Sequence, residues 1–283
     1  MSCIIQHFFD TVSSTFSYVV HNPDNLRCAV IDSVLGFDPI AARTDTQHAD
    51  RMIAYIEEHH LKLEWILETH IHADHFSAAS YIKNLLGGQI GVSKHIENVY
   101  QNFHPLYDLP PHALLNFDYF FEEDEVFDLC GWQATALYVP GHTPADIAFK
   151  IENHIFVGDT LFAKDVGTAR CDFPGGNAHQ LYLSIQKILS YPDETKLYLC
   201  HDYPPSCRKH LYQTTVSEQK LENIHIKQGI VAVNFVDMRV SRDTHLKLPQ
   251  LMVPALQINL CAGALPEMTA NGVQYLKIPL NVF

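Results

Sequence analysis

The chain has 283 residues, 47% of them hydrophobic and 18% charged, enough for one large domain with a buried core and too apolar for global disorder. Its formal net charge is -13, with only 19 lysines and arginines and no dense basic run, which argues against nucleic acid or an anionic membrane as a partner. Eighteen histidines make metal chemistry worth testing, and seven scattered cysteines without a Cys-x-x-Cys pair fit free thiols in a reducing compartment.

The N-terminus, M-S-C-I-I-Q-H-F-F-D, has no basic segment and no long apolar run. It reads as a first strand and not as a targeting peptide, so a cytoplasmic chain is expected. Strands are expected at residues 4–9, 16–21 and 28–31, each rich in β-branched or aromatic residues. Residues 47–60 have helical spacing, with Met52, Ile53, Ile56 and His60 on one face. A strand at 61–69 runs into E-T-H-I-H-A-D-H, and a helix at 76–86 follows, stopped by Gly87 and Gly88.

His70 and His72 stand two apart at that strand end, so in an extended backbone their imidazoles point to one side. Asp74 and His75 follow where the chain enters the helix. Four ligand-type side chains can thus crowd one point, a spacing that favours a metal site over scattered surface histidines.

The order of strand, then ligand loop, recurs. A strand at 132–139 precedes P-G-H-T-P with His142, one at 154–157 precedes G-D-T with Asp159, and one at 196–200 precedes H-D-Y with His201. A helix is expected at 178–189, ended by Tyr191 and Pro192. Strands alternating with helices mean an α/β arrangement, with ligands gathering beyond the strand carboxyl ends. The acidic run F-E-E-D-E at 121–125 reads as a solvated hairpin or loop. Beyond residue 210 the periodicity weakens, and two or three short strands with a helix near 215–223 are expected. Residues 248–266 carry no charge but contain Pro249, Pro254 and Pro266. Buried strands and turns are expected there, not a membrane-spanning helix.

The order H-x-H-x-D-H, G-H-T, G-D and a last His resembles the metallo-β-lactamase superfamily. The resemblance implies an αββα sandwich, two sheets face to face with helices outside, over residues 1–210. A C-terminal extension, 211–283, would pack on the same domain. It also implies a metal site of His70, His72, Asp74, His75, His142, Asp159 and His201, with Asp159 bridging if two metals bind and Asp74 and His201 catalytic. The segment G-T-A-R-C-D-F-P-G-G at 167–176 is similar to the R-x-D-F segment of persulfide dioxygenases, and H-D-Y matches the same group.

That likeness implies a dioxygenase in which one Fe(II), held by His70, His142 and Asp159, uses O2 to turn glutathione persulfide into sulfite and glutathione. Arg170, Asp172, Tyr203 and Arg208 would be its substrate-binding residues, unless Arg170 and Asp172 merely brace a glycine-rich turn. Cys171 and Cys200, next to site residues, are candidate sulfur acceptors. The alternative is a glyoxalase II-like thiolester hydrolase, or a related lactonase or β-lactamase, in which all seven ligands hold two zinc ions or a mixed iron and zinc pair. A homo-oligomeric assembly stays open.

Overall fold

The computed structural model describes residues 2–206 and 208–282. Six of the seven cysteines fall among them and are free thiols, while Cys207 lies outside the described residues. Strands β1 (Ile4–Asp10), β2 (Thr15–His21) and β3 (Arg27–Ile31) form an antiparallel meander. Two further strands, β4 (Val34–Asp38) and β5 (Arg43–Asp45), lead into helix α1 (Gln47–Glu58), and β6 (Lys62–Leu67) then returns parallel to β3. After it come β7 (Phe76–Ser77), α2 (Ala79–Leu86), β8 (Gln89–Ser93), α3 (Ile96–Tyr107) and β9 (Tyr119–Phe121). The first sheet has the order β1-β2-β3-β6-β8-β9.

The second half repeats the plan with β10 (Glu125–Leu129), β11 (Trp132–Tyr138), β12 (Ile147–Ile151), β13 (His154–Phe156), α4 (Ala178–Leu189), β14 (Lys196–Tyr198) and β15 (Gln213–Thr215). These strands form a second six-stranded sheet in sequence order, antiparallel except for the β13–β14 pair. The acidic run at 121–125 is the turn between the sheets, with Glu122 and Glu123 exposed.

Alternation along the strands decides the layering, because successive side chains point to opposite faces. In β2, Phe16, Tyr18 and Val20 face the second sheet, while Val19 faces the helices. In β12, Ile147, Phe149 and Ile151 meet them from the other side, and Ala148 turns outward against α4 residues such as Leu181 and Ile185. The result is αββα, a buried seam between the sheets and a helical layer outside each. Full burial of a Phe or Ile is worth roughly 1.5–3 kcal/mol, so this seam is a principal source of stability.

Two expectations are corrected. The helix expected from residue 76 starts at Ala79, because Phe76 and Ser77 pair antiparallel with β4 (Leu35 with Phe76, Val34 with Ser77). The regular structure of the extension is helical and not stranded: α5 (Val216–Glu222), α6 (Ala232–Asp243) and α7 (Met252–Asn259) follow strand β15, with irregular chain between and after them. Residues 248–266 therefore hold a helix where strands and turns are expected. Pro254 sits in the first turn of α7, where a backbone N–H has no intrahelical partner anyway, and Pro249 and Pro266 lie outside it. Phe235 of α6 joins the core against the second sheet, and Met252, Ala255, Leu256 and Ile258 of α7 join the core against the first. Among the described residues no helix is long and apolar enough to cross a membrane.

Candidate metal centre

The carboxyl ends of β3, β6, β13 and β14 lie at one edge of the sandwich, with the end of β11 beside them. Asp32, one residue past β3, anchors the turn that follows β6. It accepts the Thr69 backbone N–H at Oδ1 (2.8 Å) and the Thr69 hydroxyl at Oδ2 (2.9 Å). With its hydrogen committed, Thr69 Oγ1 accepts from His70 Nδ1 (3.0 Å). The lone pair of His70 is left on Nε2, which lies 3.8 Å from Asp159 Oδ2.

His72 is set in the opposite tautomer. Its Nε2 donates between two buried carboxylates, Asp32 Oδ1 at 3.2 Å and Glu68 Oε2 at 3.3 Å. Its Nδ1 is a buried acceptor with no partner. His142 follows β11, and its Nδ1 donates to the Arg170 carbonyl (2.7 Å), leaving Nε2 at 3.7 Å from Asp159 Oδ2. The turn around His142 is held by Asp146, which accepts the Thr143 N–H (2.7 Å) and whose carboxyl burial pushes up to about 6.

Asp159 follows β13 past Gly158, where only glycine fits. The φ there is 53°, and a Cβ would stand 2.7 Å from Thr69 Oγ1. His201 follows β14, with Nε2 3.5 Å from Asp159 Oδ1 and 3.4 Å from Asp74 Oδ2. Thr15 Oγ1 lies 3.3 Å from His201 Nδ1 and 3.4 Å from His75 Nδ1, tying the start of β2 to both rings.

Seven side chains from four strand ends, those of β6, β11, β13 and β14, thus converge. They fall into two groups that could each hold a cation: His70, His142 and Asp159, and His72, Asp74, His75 and His201. Asp159 turns one oxygen toward each. Five atoms here are buried without a hydrogen-bond partner: His72 Nδ1, Asp74 Oδ2, His75 Nε2, Asp159 Oδ1 and His201 Nε2. Orphaned buried polar atoms are costly unless something satisfies them. A tetrahedral shell with bonds near 2.0–2.1 Å sets ligand atoms roughly 3.3 Å apart. The measured separations of 3.4 to 3.8 Å suit such a shell, so the residues present fit metal.

Electrostatics favour the ligating forms. Burial, then the neighbouring imidazoles, holds the pKa of His70 well below its usual value, and burial with His72 lowers that of His75. Both rings are therefore neutral, as ligation requires. Burial opposes charge on Asp74, but His201 and His75 outweigh it and keep the carboxyl ionised. His72 runs the other way: burial opposes its charge, while the bonds to Asp32 and Glu68 raise its pKa well above normal.

A cavity of about 1410 Å³ opens over the cluster, walled by β4 on one side and by α6 and the loop after it on the other. Arg170 and Tyr203 line it. Arg170 is committed, with Nε and Nη2 on the two oxygens of Asp172 (2.5 Å each) and Nη1 on the Lys247 carbonyl (2.6 Å). The Tyr203 ring stacks on His201, centroids 5.9 Å apart. Arg208 lies off the cavity lining and pairs with Asp165 and Asp202. Burial raises the pKa of the Cys171 and Cys200 thiols, which disfavours their thiolates.

Sequence reasoning missed the residues behind the ligands: Thr15, Asp32, Glu68, Thr69 and Asn259. Asn259 is the furthest away in sequence. From the end of α7 its Nδ2 donates to the His72 carbonyl (2.7 Å) and the His75 carbonyl (2.8 Å), and its Oδ1 accepts the Ser77 N–H (2.7 Å). Asp32 and Glu68 had a readable signal, each a carboxylate directly after a strand run, C-A-V-I and W-I-L.

Comparison with known proteins agrees with this geometry. The family described as metallo-beta-lactamase superfamily matches residues 10–201. A probable metallo-hydrolase of Burkholderia pseudomallei (strain 1710b) is 44% identical over 290 residues, covering 98% of this chain and 99% of the relative. Glyoxylase B2 of Dictyostelium discoideum is 44% identical over 282 residues, covering 98% and 97%. Among solved structures, ETHE1 from Myxococcus xanthus superposes with a TM-score of 0.75 at 25% identity, covering 92% of this chain and all of that one. More distant relatives include the human mitochondrial persulfide dioxygenase ETHE1 and the hydroxyacylglutathione hydrolase of Pelagibacter ubique (strain HTCC1062).

Proposed function

The chain belongs to the metallo-β-lactamase superfamily, and from that premise we propose that it is a thiolester hydrolase working with two bound metal ions. The observation that carries this reading is Asp159, whose two oxygens face two separate groups of ligand atoms. His70 and His142 would serve one ion, Asp74, His75 and His201 the other, with His72 completing the set. Zinc, iron or a mixture suits these nitrogen and oxygen donors. Bound there, the metals would supply a water acidified toward a pKa of about 7 and would polarise the substrate carbonyl.

The chain's own residues do the rest. Asp32 and Glu68 hold His72 by Nε2, so that a bound cation would displace only the proton on Nδ1, and Thr69 fixes the tautomer of His70, which presents a lone pair without reorganising. Thr15 does the same for His75 and His201 from the other side. Asp74, kept ionised, orients the attacking water. Tyr203, on the cavity wall beside His201, is placed to donate to the substrate. A thiolate leaves readily, its pKa being near 8.5, so the site needs no strong acid beside the leaving group.

The persulfide dioxygenase reading has one specific support. His70, His142 and Asp159 alone make the two-imidazole, one-carboxylate set of mononuclear iron oxygenases, and the likeness to ETHE1 points the same way. A single iron there leaves Asp74 Oδ2, His75 Nε2 and His201 Nε2 buried with no hydrogen-bond partner and no cation to satisfy them. That disfavours it. Metal analysis of the purified protein, paired with two assays, separates the readings. Two metal equivalents with thiolester hydrolysis and no oxygen uptake on glutathione persulfide are expected. One equivalent of iron with oxygen consumption would overturn the proposal.

A further inference from the structure

We propose that Cys3, Glu152 and His154 form a separate site for a zinc-class divalent cation, at the end of the sandwich opposite the metal centre. An ion there would clip the start of the first sheet to the second.

Three stretches of chain meet at this end. Cys3 directly precedes β1, Glu152 sits in the two-residue turn between β12 and β13, and His154 opens β13. One sulfur, one carboxylate oxygen and one ring nitrogen from these residues lie within 4.8 Å of one another. Cys3 also packs against the seam between the sheets, and its backbone N–H donates to Glu152 Oε2 (3.4 Å), so the carboxylate already reaches from one sheet to the other. The Tyr198 hydroxyl of β14 stands 3.3 Å from His154 Nδ1 and can accept its proton, which leaves the lone pair on Nε2. Strand β13 thus carries His154 at its amino end and leads to Asp159 past its carboxyl end, on the order of 15 Å away. Cys3, Glu152 and His154 all lie off the cavity over the metal centre, and the hydrolytic reading uses none of them.

The donor set selects the ion. A thiolate, a carboxylate and a neutral imidazole together carry two negative charges, which balance a divalent cation. Sulfur and nitrogen donors are unlike the all-oxygen shells of calcium and magnesium and suit zinc. With bonds of about 2.3 Å to sulfur and about 2.0 Å to nitrogen, tetrahedral ligand atoms stand roughly 3.5 Å apart. Glu152 is exposed on a flexible stem, so its carboxylate can move to close the remaining gap. Burial and the Glu152 charge push the Cys3 thiol up to about 12, and burial with Lys196 lowers the pKa of His154. The imidazole is therefore already neutral, and a bound cation would displace the thiol proton, as coordination does to thiols generally. Cys3 and His154 are only partly buried, so water takes the fourth position. An ion held by three residues at that depth exchanges on dialysis, and the purified protein keeps only the ions of the buried centre.

Cobalt(II), whose bonds to thiolate absorb strongly in the near ultraviolet, reports the site directly. It is titrated into the full chain carrying its purified complement of metal. One further equivalent is expected, together with the thiolate band. Cys3→Ser should abolish the band, and Glu152→Gln and His154→Gln should each raise the Kd for cobalt tenfold or more. Added zinc should displace the cobalt and raise the thermal midpoint of the wild type but not of Cys3→Ser. Thiolester hydrolysis should be the same in all three variants and the wild type. A missing band, a band that survives Cys3→Ser, or full cobalt affinity in both other variants would overturn the site. The readout needs no turnover, so the site can stand while the hydrolase reading falls, and the reverse.

Discussion

The two ends of the cavity are built on opposite plans. At the metal end every polar atom is either fixed by a buried partner or left bare toward the cluster: Asp32, Glu68, Thr69 and Thr15 set four imidazoles, and five donor atoms remain unsatisfied. At the far end the charges mostly cancel within the protein, Arg170 against Asp172 and Arg239 against Asp243, and Arg242 is the exception. Preorganisation without neutralisation makes a site that demands a cation. Neutralisation with one charge left over makes a surface that selects a ligand weakly and adjustably. The extension reaches both ends. Asn259 braces the metal loop, while Arg239, Asp243 and His225 brace the loop carrying Arg170.

The strongest way to break this contrast is Asp159→Asn. The amide keeps the shape but has one acceptor oxygen, so it can no longer face both groups of ligands as a charged bridge. Bound metal is expected to fall from two equivalents toward one or none. Hydrolysis should fall further than the roughly 10–100-fold typical of residues behind the ligands. Retention of two metals, read by elemental analysis, would mean that Asp159 does not bridge.

Asn259→Ala asks whether the extension belongs to the metal end at all. It orphans the carbonyls of His72 and His75 and the N–H of Ser77, all buried. At about 1–3 kcal/mol for a buried group left unpaired, and allowing for water entering the gap, the expected loss of stability is about 3 kcal/mol. Metal affinity should fall roughly 10–100-fold, as for other supports of ligand geometry. Thermal unfolding and metal titration on the same sample separate the effects. A drop in stability with unchanged affinity would make Asn259 a structural tie only.

How far these ends were legible follows from their construction. The metal end could be read because its ligands must follow strand ends at fixed spacings, and E-T-H-I-H-A-D-H, G-H-T and G-D-T are short and local. Its supports could not, apart from Asp32 and Glu68 at their strand ends, because Asn259 meets His72 only after almost the whole fold has formed. The extension hid itself differently. The buried face of α6 is Phe235, Arg239 and Asp243, four apart and mostly charged, so hydrophobic periodicity has nothing to detect. In α7 the residues are apolar nearly all round, which leaves the period undefined, and Pro254 looked like a break although it lies in the first turn. Arg170 shows the reverse case. Its segment was conspicuous in sequence, yet His142 meets it through the Arg170 backbone carbonyl, which any residue could supply.

That last point gives the mildest test. Arg170→Ala keeps the carbonyl that holds His142 Nδ1, so metal content should be unchanged. It removes a partly exposed pair with Asp172 and a bond to the Lys247 carbonyl, contacts of a kind worth about 1 kcal/mol or less in stability. If the guanidinium is only a brace, KM for a carboxylate-bearing thiolester should rise no more than about threefold. A tenfold rise in KM with kcat and metal intact would show that Arg170 leaves Asp172 to meet substrate. The far end would then hold two unspent cations, and its contrast with the metal end would narrow to a difference in mobility, because the Asp172 pair would be a resting contact that substrate displaces.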